Sequence, residues 1–131
     1  MALRRHGLKP FVLPGGHSER NGMQAAKAID LSAGITAVMA FNDRCAVGVL
    51  DALDKARIRV PKQVSVTGFD DSLIAQLQRM NLTTISQAPV EQARLAVAAA
   101  VERLEGHRTE RQEQVLRPHL VKRGSTAKAP Q

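Results

Sequence analysis

Tryptophan and tyrosine are missing from this chain, and phenylalanine occurs three times. A core without large aromatics has to be aliphatic and alanine-rich, and a hydrophobic content of 44% supplies one. One cysteine, Cys45, excludes an internal disulfide framework. No apolar run approaches the roughly 20 residues needed to cross a bilayer. Residues 1–6, MALRRH, lead into no long apolar segment, so a signal peptide is not expected and a reducing cytoplasm is the expected compartment. His6, His17, His107 and His119 have no metal-ligand spacing with Cys45. Gly15-Gly16-His17-Ser18 lacks the Gly-Lys-Ser/Thr of a phosphate loop, and neither metal nor cofactor is expected. Acidic residues are the scarcer charge, 12 against 19 basic, for a net charge of +7. That excess sits at the two ends of the chain. Between Arg94 and Glu113 the basic residues alternate with Glu102, Glu105 and Glu110, the pattern of a solvated helix face. No aromatics interleave with the basic residues, so a base-stacking surface is not expected.

What is present, in 131 residues, is enough chain for one domain that buries roughly two-thirds of its unfolded surface. Residues 35–41 form a near-continuous apolar run, as expected of a parallel strand covered on both faces. The run stops at Asn42-Asp43. Ala46, Val49, Leu50, Leu53 and Ala56 then recur at helical spacing, and residues 64–69 read as a second strand that stops at Asp70-Asp71. Upstream, residues 3–7 look like the last turns of a helix ended by Gly7, 10–13 like a short strand, and Ser18 like the N-cap of a helix reaching about Leu31. Downstream, a short helix is expected over 72–78 and an extended segment over 82–87. Pro89 suits the first position of a helix that carries Val90, Ala93, Val97, Val101 and Leu104 on one side and ends at Gly106. Residues 115–122 read as a last extended segment interrupted at Pro118, and 124–131 as a frayed polar tail. Alternating strands and helices predict an α/β fold with a parallel sheet flanked by helices.

In an open parallel sheet, ligands sit beyond the carboxyl ends of the strands. Asn42 and Asp70 both fall there, on successive strands. Asn42 offers a donor and acceptors, although it equally suits capping of the helix after it. Asp70 is an acceptor able to grip two adjacent hydroxyls. Capping of the helix at Ser72 better suits Asp71.

AFND at 40–43, VP at 60–61, VSVTGFDD at 64–71, LTTISQ at 82–87 and LVKRGSTAKAP at 120–130 follow one another in register. Together they resemble the effector-binding domain of the LacI/GalR family of bacterial transcription regulators, a periplasmic-binding-protein-like type I fold, over nearly the whole chain. The resemblance implies a truncated version of that fold. Residues 1–80 would be a partial C-terminal lobe, 81–118 a crossover and a helix belonging to the N-terminal lobe, 119–124 the closing strand and 125–131 a flexible tail. It places Asn42 and Asp70 in the effector pocket and Gln87 at the rim of the cleft. His17 stands where relatives often carry a stacking aromatic, although a surface loop histidine is the stronger reading.

The implied function is effector sensing and dimerisation, with a sugar or nucleobase-like small molecule as effector. Operator DNA would be bound only through a headpiece that this chain does not carry. The helix from Pro89 would lack its usual cover, leaving Val97, Val101 and Leu104 wet. A homodimer or segment-exchanged oligomer is the expected remedy. An extracytoplasmic sugar- or solute-binding protein of the same fold stays open as the alternative. A small α/β enzyme is the second alternative and the less favoured one, since it needs a nucleophile–base pair: Cys45 has no histidine near it in sequence, and adjacent Asp70 and Asp71 would point oppositely in a strand.

Overall fold

The computed structural model describes residues 2–129. The elements are α1 (Ala2–Arg5), α2 (Glu19–Ala26), a 3-10 turn (Leu31–Ala33), β1 (Ala37–Met39) and α3 (Asp43–Lys55). They continue as β2 (Ser65–Thr67), α4 (Leu73–Gln76), β3 (Thr84–Ser86), α5 (Pro89–Leu104) and β4 (His119–Val121). β1 and β2 pair in parallel, Val38 opposite Val66. A parallel bridge between Thr67 and Thr83 continues the sheet to β3, and β4 adds antiparallel to β3 with Ile85 opposite Leu120.

The second edge of β2 is shared between two partners. Val66 N–H donates to the Ser125 carbonyl, whereas Gly68 and Asp70 N–H donate to Thr83 and Ile85 carbonyls, each at 2.9 Å. Ser125 is therefore wedged between β2 and β3. Its hydroxyl donates to Val66 O at 2.7 Å and accepts from Thr83 N–H at 2.8 Å. Thr126 and Ala127 bond to Thr83 and Ser65. The frayed tail expected from 124 onward is thus tied down through Ala127, because the strand edge beside it offers backbone groups that need partners.

The core is aliphatic, as the composition requires: Ala26, Ala46, Val49, Leu53, Val64, Val66, Ala75 and Leu82. α3 supplies three of these residues on one stripe, and α2 packs against it. Two glycines set that approach. A Cβ on Gly22 would overlap the Cys45 carbonyl, and one on Gly48 would overlap the Glu19 carbonyl.

Three local expectations are corrected. Residues 10–13 form no strand: Pro10 and Pro14 bring no N–H, and Phe11 and Val12 lie exposed. α2 ends at Ala26 rather than near Leu31. Its last turns tighten to i−3 bonds, and Asp30 leaves the helix to cap the 3-10 turn through Ser32 at 2.9 Å. The first strand is covered on one face only. Val38 and Ala40 pack on the core, while Met39 is 72% and Phe41 65% exposed. α5 begins at Pro89 as expected and holds no buried residue; Val97, Val101 and Leu104 are 63%, 43% and 86% exposed.

Candidate functional site

The parallel pairing of β1 and β2 brings the residues that follow them to one edge of the sheet. Asp43 N–H donates to Phe69 O at 2.9 Å, which places the Asn42 and Asp70 turns side by side. Asn42 is half-buried and is the N-cap of α3; its Oδ1 accepts from Cys45 N–H at 2.8 Å. Its amide Nδ2 donates to the His17 carbonyl at 3.2 Å, tying the Gly15–His17 turn to the same edge. The cap uses one lone pair and the His17 carbonyl one N–H, so the amide keeps one of each for another partner. The exposed His17 ring meets Phe41 edge to face, centroids 4.6 Å apart at 75°.

Asp70 is exposed and stands at φ 109°, followed by Asp71 at φ 53°. Backbone of this kind in non-glycine residues costs on the order of 1–3 kcal/mol each and has to be held by its surroundings. The Asp70 carboxylate accepts from Gln87 Nε2 at 3.2 Å. Gln87 is in turn fixed by its carbonyl, which accepts from Gln92 Nε2 at 2.7 Å in the first turn of α5. Four residues singled out in the sequence therefore form two bonded pairs, the Asn42 amide with the His17 backbone carbonyl and the Asp70 carboxylate with the Gln87 amide. Both pairs lie at the carboxyl edge of the sheet.

Three polar residues that the sequence reading did not single out organise this edge. Asp43, 1% exposed, accepts from Ser72 N–H at 2.7 Å, Ser72 Oγ at 2.9 Å and Thr84 Oγ1 at 2.6 Å. Gly68 makes room for it, since a Cβ there would overlap its Oδ1. Arg123 donates to Asp71 Oδ1 at 2.6 Å and to Leu82 O at 2.9 Å. Asp71 is thus an ion-pair partner and not the cap of α4; Ser72 occupies the N-cap position, with its hydroxyl turned to Asp43. No sequence signal pointed to Asp43, Thr84 or Arg123, because each partner is distant along the chain.

Cys45 is buried and free, and among the described residues no group of acidic, histidine and cysteine side chains could hold a metal ion. A groove of about 300 Å³ lies between α5 and the returning chain, lined among others by Gln92, Leu95, Ala99 and Leu116. It contains none of Asn42, Asp70, Gln87 and His17.

Residues 1–126 match the family model described as a periplasmic binding protein-like domain. The HTH-type transcriptional regulator MalR of Streptomyces coelicolor is 38% identical over 109 residues, covering 83% of this chain and 32% of that protein. The crystal structure of a LacI transcriptional regulator from a Rhodococcus species superposes with a TM-score of 0.87 at 40% identity, over 98% of this chain and 48% of that one. A LacI family regulator from Enterococcus faecium, solved with bound ribose, superposes at 0.86 with 28% identity over 96% of this chain and 48% of that one. The chain thus spans about a third of the length of the first of these, and about half of each solved chain.

Proposed function

The chain belongs to the periplasmic-binding-protein-like domain family, and from that premise we propose that it is the effector-sensing part of a LacI/GalR-type transcription regulator, acting in the cytoplasm. The effector is a small polyhydroxylated molecule, a sugar rather than a nucleobase. The observation that carries this reading is the exposed Asp70 carboxylate, bonded to Gln87 and beside the helix-capping Asn42 at the carboxyl edge of a parallel sheet. A fixed carboxylate accepts from two neighbouring hydroxyls, and an amide held by its cap supplies a donor and an acceptor at a set place. His17 on Phe41 adds an apolar face against which a sugar ring can lie. The hydroxyls that meet a carboxylate here, Ser72 and Thr84 on Asp43, are spent on a side chain 1% exposed, so binding rather than turnover is the proposed role.

In the whole regulator, an effector held here favours one arrangement of the lobes, and a homodimer passes that preference to the operator-binding headpieces. Coupling of this kind is worth about 1–3 kcal/mol. Operator DNA is not a partner of the residues in this chain.

The test is a titration of the isotope-labelled chain with ribose, lactose and maltose, followed by amide shifts. The expected result is weak binding, with Kd on the order of millimolar, to at least one sugar. Shifts should be confined to His17, Asn42, Asp70 and Gln87, and Asp70→Ala should weaken binding at least tenfold. Shifts mapping to the groove beside α5 instead, or none with any sugar, would overturn the assignment.

A further inference from the structure

We propose that Asp43 and Arg123 are positioning residues that set the effector contact at Asp70 by clamping the two residues after it. The inference rests on the reading of Asp70 as the ligand-contacting carboxylate. The run Asp70-Asp71-Ser72 carries three polar side chains in succession, and two of them are consumed internally. Asp71 is taken by Arg123, with both side chains under one-fifth exposed. Ser72 is taken twice by Asp43, through its N–H and its hydroxyl. Asp70 N–H is held by the Ile85 carbonyl, which leaves its carboxylate turned outward to Gln87.

The clamp draws on every strand. Asp43 follows β1 and opens α3, where a carboxylate is favoured by the helix N-terminus. Asp71 and Ser72 follow β2. Thr84 lies in β3, donating to Asp43 and accepting from Asp71 N–H at 3.4 Å, so it bridges the two halves of the clamp. Arg123 follows β4, and its own N–H donates to the Thr83 hydroxyl at 2.9 Å. Asp70 and Asp71 occupy positive φ, which a free loop of non-glycine residues relaxes away from. The side-chain bonds from Asp43 and Arg123 hold that conformation together with the bonds to the backbone of Asp70 and Asp71 from Ile85, Thr84 and Gln76. They do so from the buried side, without themselves facing the ligand edge.

The test compares the full chain with Asp43→Asn, Arg123→Lys, Thr84→Val and Thr84→Ser. Two readouts are taken: the Cα shifts and intraresidue HN–Hα contacts of Asp70 and Asp71, which report positive φ, and ribose, lactose and maltose titrations. Asp43→Asn, Arg123→Lys and Thr84→Val are expected to move Asp70 and Asp71 toward extended values and to weaken sugar binding at least tenfold. Shifts in α2 and β1 should stay in place, and Thr84→Ser, which keeps the hydroxyl, should behave as the parent chain. Should Asp43→Asn prove unfolded, Arg123→Lys carries the same readout from the opposite side of the loop. Unchanged positive-φ signatures at Asp70 and Asp71 in the folded variants overturn the clamp, even if the parent chain binds sugar. A parent chain that binds no sugar while the variants relax the loop overturns the sugar assignment and supports the clamp.

Discussion

Asp43 has 1% of its surface exposed, and a carboxylate so buried has to be supplied with donors; it receives three, from Ser72 and Thr84. Thr84→Val removes one donor and keeps the shape. It is expected to cost about 1–3 kcal/mol in urea denaturation, whereas Thr84→Ser should be near neutral. Ser125→Ala should cost a similar ~1–3 kcal/mol, since the Val66 carbonyl and the Thr83 N–H both lose their partner. Asp30 behaves differently because it is fully exposed. Its side-chain and backbone bonds with Ser32 hold its carboxyl below the ordinary range. A depressed folded value means the contribution is complete above that range and is lost as pH falls through the folded value. Acidification below roughly pH 4 should therefore loosen the Leu31–Ala33 turn, read as faster exchange of the Ser32 amide. Asn42 and Asp70 were legible in the sequence because a polar residue ending an apolar run marks a strand's carboxyl end. Asp43, Thr84 and Arg123 were not, since their partners lie 29, 41 and 52 residues away.

Helices α2 and α3 meet through the backbone at Gly22 and Gly48, where any side chain would enter a carbonyl of the facing helix. Gly48→Ala should part them and lower stability by about 1–3 kcal/mol or more in thermal melts. Gly15→Ala, placed where a Cβ would meet nothing within 4 Å, should change little. The helical stripe of α3, Pro89 at the start of α5 and the Ser18 cap of α2 were all readable locally, because each is set by residues within one or two turns. The end of α2 was not, because Asp30 and Ser32 compete for the chain there. Nor was the half-open state of β1. An apolar run of seven residues reads as buried on both faces, yet the core packs on the Val38 and Ala40 side, and Met39 and Phe41 stay exposed.

At the scale of the whole molecule, α5 stands away from the core, with Val97, Val101 and Leu104 open to solvent. Arg108 ties the returning chain to Ala99 O at 2.9 Å without covering that stripe. Burying such side chains is worth about 1.5–3 kcal/mol each, so pairing of two copies through this helix is expected. Sedimentation at micromolar concentration should show a dimer, and Val101→Glu with Leu104→Glu should return it to a monomer; a folded monomer of the parent chain would count against the pairing. The family resemblance, the α/β class and the order of strands and helices from Ser18 onward were determined by the sequence alone, because caps, turn residues and hydrophobic periodicity act over a few residues. Which polar groups share the carboxyl edge, why the 124–127 segment is held, and which apolar faces lack cover were decided only by the tertiary structure. Those outcomes depend on hydrogen-bond partners and packing neighbours brought together from distant parts of the chain, and no local pattern records which groups will meet.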